Sequence, residues 1–93
     1  MNKEYSIGFT QKYKKLHKSE QDALVDIVEH ITNNPTIGEL KTGKLSGLRV
    51  FKKHINNQLT LISYTYCDRS CSCYFYNFGT HENFYRDLKK YLK

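Results

Sequence analysis

The sequence predicts an α+β domain, and three observations carry the prediction. SEQDALVDIVEHITNNP has the apolar period of an amphipathic helix, three β-like runs crowd the stretch from Leu48 to Phe78, and a second helical stripe follows Gly79. With a short β-leaning start and a short first helix, the order reads β-α-α-β-β-β-α. The length of 93 residues suits one domain, 1–93, with one modest core.

Each element has its own signal. Glu4–Phe9 is a candidate edge strand. Thr10 can cap a first helix over Gln11–His17, where Phe9, Tyr13 and Leu16 share one side. Ser19 is the expected N-cap of the second helix, with Asp22 completing a weak capping box. Its apolar stripe is Leu24, Ile27, Val28 and Ile31, its acidic back is Glu20, Asp22, Asp26 and Glu29, and Asn33-Asn34-Pro35 ends it. Pro35–Gly47 is a connector. The strands expected at Leu48–His54, Gln58–Tyr66 and Cys71–Phe78 form an antiparallel meander that the N-terminal strand can extend. Asn56-Asn57 suits a tight turn because asparagine tolerates positive φ. His81–Leu92 closes the chain as a helix with Phe84, Leu88 and Tyr91 toward the sheet.

Composition narrows the function classes. No stretch approaches the roughly 20 apolar residues of a membrane span, and MNKEYSIGFTQKYKK lacks a secretory apolar core. Three cysteines are an odd number, which argues against a disulfide framework and for the reducing cytoplasm. CDRSCSC invites a zinc reading, but Cys67, Cys71 and Cys73 find no evident fourth ligand, so packing is the preferred role and no metal or cofactor is expected. The net charge of +6 is one-sided: residues 1–30 carry five Lys and five acids, residues 31–93 ten Lys/Arg and four acids. Such a field attracts polyanions, nucleic acid first among them. Eight tyrosines and five phenylalanines also suit base stacking, although most must serve the core.

Two clusters could carry chemistry. KTGKLSGLRVFKKH gathers Lys41, Lys44, Arg49, Lys52, Lys53 and His54 within fourteen residues. Strand alternation places Arg49, Phe51 and Lys53 on one face and Leu48, Val50 and Lys52 on the other. Arg49 then either pairs with an inward acid, Glu82 or Asp87, or lines a basic surface that binds phosphate. His81 and Tyr85 stand one helical turn apart. A histidine near neutrality suits proton transfer, and RNA brings its own nucleophile in the 2′-hydroxyl. The plainer alternative makes His81 a helix cap and Tyr85 a core residue.

Taken together, NNPTIGELKTGKLSGLRVFKKHINNQLTLISYTY and FGTHENFYRDLKKYLK resemble the RelE/ParE superfamily of toxins from bacterial type II toxin–antitoxin pairs. The resemblance spans nearly the whole chain, and its most specific piece is the ending. It implies two N-terminal helices and a C-terminal helix against one face of a twisted antiparallel sheet, the other face being concave and basic. It further implies an antitoxin partner, with operator DNA met only through the antitoxin complex. RelE-like members cleave mRNA on the ribosome, whereas ParE-like members poison DNA gyrase.

By the RelE pattern, Arg49, Lys52 and Lys53 would neutralise the scissile phosphate. His81 would transfer a proton and Tyr85 would assist it. Lys41, Lys44, His54 and Arg86 would hold flanking RNA. The pattern's arginine at the start of the second middle strand is missing, since Gln58-Leu59-Thr60 stands there. The expected function is therefore a ribosome-dependent mRNA endonuclease. The alternatives are a gyrase inhibitor and a degenerate toxin that only binds its antitoxin.

Overall fold

The computed structural model describes residues 2–43, 47–80 and 83–84. Strand β1 (Asn2–Tyr5) passes through Ser6 into helix α1 (Ile7–Lys14). The Ser6 hydroxyl accepts from the Phe9 N–H at 3.0 Å and donates to the Tyr76 carbonyl at 2.6 Å. One buried oxygen thus caps the helix and ties it to the sheet. This corrects the expected strand Glu4–Phe9 and the expected Thr10 cap: the Thr10 N–H already donates to the Ser6 carbonyl at 3.1 Å, inside the helix.

Helix α2 (Lys18–Asn33) starts from His17, not from Ser19. The Glu20 carboxylate accepts from the His17 N–H at 3.3 Å, so the third-position acid of the capping box is Glu20 and not Asp22. Leu24, Ile27, Val28 and Ile31 are buried as their spacing predicts. Each contributes about 1.5–3 kcal/mol of gross stabilisation. Asp22, Asp26 and Glu29 are exposed on the opposite side.

The sheet has five strands in the order β1-β5-β4-β3-β2. Here β2 is Glu39–Leu40, β3 Arg49–Ile55, β4 Gln58–Cys67 and β5 Ser72–Thr80. β2 through β5 pair antiparallel, but β1 pairs parallel with β5, Asn2 opposite Ser72 and Tyr5 opposite Phe75. The sheet is mixed, in place of the expected antiparallel one of three to four strands. Parallel pairing needs a long crossover, and no local pattern near residue 2 announces a partner seventy positions away. Two-residue β2, inside the connector, has no pattern to read either. Asn56 and Asn57 do form the tight turn, with φ of 51° and 66°.

Side chains from the two faces of the sheet form two cores. Toward the helices, Phe9, Leu24, Ile31, Ile62, Tyr64, Phe75 and Phe78 pack together with Phe51 and Ile55 against them. On the other face, Leu48, Val50, Leu61 and Phe84 form a second cluster. Phe84 is fully buried there, facing the sheet as its spacing predicts, but on the face opposite α1 and α2 instead of the shared face that the resemblance implies. The rest of the expected closing helix, Asn83 and Phe84 apart, lies outside the described residues. Among those described, no helix is long and apolar enough to cross a membrane.

Candidate nucleic-acid interface

Strand β3 sorts the predicted basic cluster between two environments. Phe51 and Ile55 pack toward the helices, so Arg49 and Lys53, at the same strand parity, lie on that side. Val50 belongs to the opposite cluster, which puts Lys52 and His54 on the face turned away from α1 and α2. Both are exposed. In the ladder Lys52 pairs with Leu61, which pairs with Gly79, and His54 pairs with Leu59. Lys52 is thus in the same cross-strand row as the glycine near the end of β5.

Arg49 holds the connector, while its expected acid partners Glu82 and Asp87 lie outside the described residues. Its Nη1 donates to the Gly38 carbonyl at 2.9 Å and to the Thr36 carbonyl at 3.3 Å, and its guanidinium lies 5.6 Å from the centre of the Tyr66 ring. Tyr64 grips the same connector: its hydroxyl donates to the Pro35 carbonyl at 2.7 Å and accepts from the Gly38 N–H at 2.9 Å. Gly38 leaves room for this, because a Cβ there would lie 2.7 Å from the Tyr64 hydroxyl oxygen. Burial holds the Tyr64 phenol above its ordinary value of 10.0. The Gly38-to-Arg49 motif is therefore a clasp that fixes the α2–β3 connection. Lys41 also belongs to the connector: its N–H donates to the Leu48 carbonyl at 2.8 Å, and its ammonium lies 3.1 Å from the Glu39 carboxylate. Lys44, His81, Tyr85 and Arg86 lie outside the described residues.

Strand β5 supplies the other half of this face. Tyr64 pairs with Phe75 and Ser63 with Asn77, so Tyr76 is the extra residue of a β-bulge. Tyr74 and Tyr76 stand with ring centres 4.6 Å apart, both partly exposed. Tyr76 packs against the second cluster. Beside them Asn77 is fully buried. Its Oδ1 accepts from Lys12 Nζ at 3.2 Å, and its Nδ2 donates to the Phe84 carbonyl at 3.5 Å. The Ser63 hydroxyl donates to the Asn77 carbonyl at 3.3 Å.

Lys12 and Asn77 are the residues sequence reasoning missed. β1 covers only Ser72–Phe75, which leaves the rest of β5 without a strand on that edge among the described residues. Lys12 reaches this edge from α1, donates to the Phe78 carbonyl, and sits 5.1 Å from the centre of the Phe78 ring. A Cβ on Gly79 would come within 3.1 Å of the Lys12 ammonium. The available signal was a lone asparagine inside the aromatic run CYFYNF, since a buried amide must find partners. Nothing in QKYKK marks which lysine supplies one.

The match to known families fits this geometry. The family described as the ParE-like toxin of type II bacterial toxin–antitoxin systems matches residues 5–89. The chain belongs to that family. No curated protein sequence matches it significantly. Among solved structures, the toxin chain is similar to the intact E. coli RelBE toxin–antitoxin complex, with TM-score 0.68 and 13% identity over 85% of this chain and 94% of that one. It is similar to isolated E. coli RelE, with TM-score 0.66 and 13% identity over 97% of both chains. A RelE mutant bound to an antitoxin RelBc peptide gives TM-score 0.68 at 12% identity, covering 94% of this chain and 92% of that one. At such identity these neighbours establish the RelE fold for this ParE-like toxin.

Proposed function

We propose that this toxin is a ribosome-dependent mRNA endonuclease of the cytoplasm, held in check by an antitoxin, and that the sheet face turned away from α1 and α2 meets the RNA. The observation that carries the reading is the placement of Lys52 and His54 together on that face, with the partly exposed Tyr74–Tyr76 pair on β5 of the same face. The ammonium and the imidazole offer donors to phosphate oxygens, and the tyrosine rings offer surfaces for bases. The basic excess of residues 31–93 supplies the long-range attraction.

In this mechanism the ribose 2′-hydroxyl beside the scissile bond attacks phosphorus. Lys52 stabilises the charge that builds on the phosphoryl oxygens. His81 and Tyr85 serve as the proton-transfer pair, with His54 a second candidate for the base. Lys44 and Arg86 hold flanking RNA. Arg49 acts at a distance by fixing the connector, so it is a positioning residue and not a phosphate ligand. The test is primer extension on a translated message after induction of the toxin. Ribosome-dependent cuts in the message are the expected result. Growth arrest with intact message overturns the reading.

Two observations favour a second reading. The matched family is ParE-like, and β4 opens with Gln58 where the RelE pattern carries arginine. A gyrase inhibitor on the same scaffold would block supercoiling by purified gyrase while leaving message intact, and one assay of each kind separates the two.

A further inference from the structure

The β4–β5 hairpin ends in a four-residue turn, Asp68 to Cys71, closed by the pairing of Cys67 with Ser72 and by the Cys71 N–H donating to the Asp68 carbonyl at 3.3 Å. Two of the three cysteines belong to this tip, and both are exposed free thiols, while Cys73 is buried. Cys71 was expected in a strand as a small packing residue. It sits instead in the turn at φ 50°, in the left-handed region. Its Sγ donates to the Asp68 carbonyl at 3.5 Å. Cys67 ends β4 on the other side of the same turn, paired with Ser72. Both cysteines therefore flank the same short piece of backbone.

We propose that Cys67 and Cys71 form a hydroperoxide-reactive dithiol at this tip, Cys67 taking up the oxygen and Cys71 closing the disulfide. The hydrogen bonds on Cys67 favour its thiolate and pull the thiol below its ordinary value of 9.0, the Ser70 hydroxyl contributing most. In the first step the Cys67 thiolate attacks one oxygen of hydrogen peroxide. An S–O bond forms, the O–O bond breaks, and hydroxide leaves, so sulfur is oxidised and peroxide reduced. The Cys71 thiol then gives its proton to that hydroxide, and its sulfur attacks the Cys67 sulfenic acid. The S–S bond forms as the S–O bond breaks, and the departing oxygen leaves as water once protonated. Two thiols and one peroxide become one disulfide and two waters. The inference does not depend on what the sheet face binds.

The experiment treats the full-length toxin with one equivalent of hydrogen peroxide and follows intact mass and peptide maps. Wild type is expected to lose two hydrogens and to yield a Cys67–Cys71 peptide within one chain. Cys71→Ser should halt at a sulfenic acid on Cys67 that dimedone captures, and Cys67→Ser should lose the fast reaction entirely. Alkylation of wild type by iodoacetamide across pH supplies a check that needs no variant: Cys67 should react at lower pH than Cys71. The proposal is overturned if Cys67→Ser oxidises as fast as wild type, if the disulfide joins two chains or involves Cys73, or if Cys71 alkylates at the lower pH.

Discussion

The two sides of strand β3 differ in what they do with positive charge. On the helix side Arg49 is absorbed: it bonds to two connector carbonyls, lies beside Tyr66, and has neighbours that make up the main core. On the far side Lys52 and His54 are exposed next to a small cluster that Phe84 completes. A planar guanidinium with several fixed N–H donors suits the first task and a compact, solvated ammonium the second. The lesson is that neighbouring charges on one strand enter different environments according to the face they occupy: Arg49 is tied into the connector, while Lys52 and His54 stay exposed on the other face.

The comparison can be broken first at the clasp, where the largest effect on stability is expected. Gly38→Ala drives a Cβ into the Tyr64 ring, whose end is itself held by two hydrogen bonds. A loss of about 2–3 kcal/mol should appear in denaturant unfolding. Tyr64→Phe removes the partners of the Pro35 carbonyl and the Gly38 N–H, and should cost about 1–3 kcal/mol. The same side chain sets a pH dependence. Its folded pKa is raised, so its contribution is fully present below pH 10.0, the unfolded value, and is lost as pH climbs through the folded value. Tyr64→Phe should therefore flatten the alkaline limb of a melting-temperature profile. A smaller effect of opposite sign is expected at the hairpin tip. Cys71→Gly relieves a left-handed backbone and should stabilise by about 1 kcal/mol in the same unfolding assay.

Much of this was legible in the sequence. The stripe of α2, the Asn56-Asn57 turn and the inward Phe84 follow from periodicity and turn chemistry, which are local. Alternation also separated Arg49 from Lys52 correctly. Which face the helices cover was not legible, because that depends on packing between segments far apart in the chain. The same holds for the parallel β1–β5 pair and for Lys12 reaching the uncovered edge beside Asn77. The cap at Ser6 was missed for a different reason: Ser6 and Thr10 are both good caps, and only the Tyr76 carbonyl, seventy residues on, decides between them.

The most direct test of the central claim sets the two faces against each other on programmed ribosomes. Lys52→Ala with His54→Ala should keep the wild-type melting temperature and lose mRNA cleavage by about tenfold or more, because donors near the reacting phosphate typically contribute at least that much. Lys53→Ala, one position away on the helix side, should cleave like wild type. Full cleavage by the double variant, or its loss on changing Lys53 alone, would contradict the account.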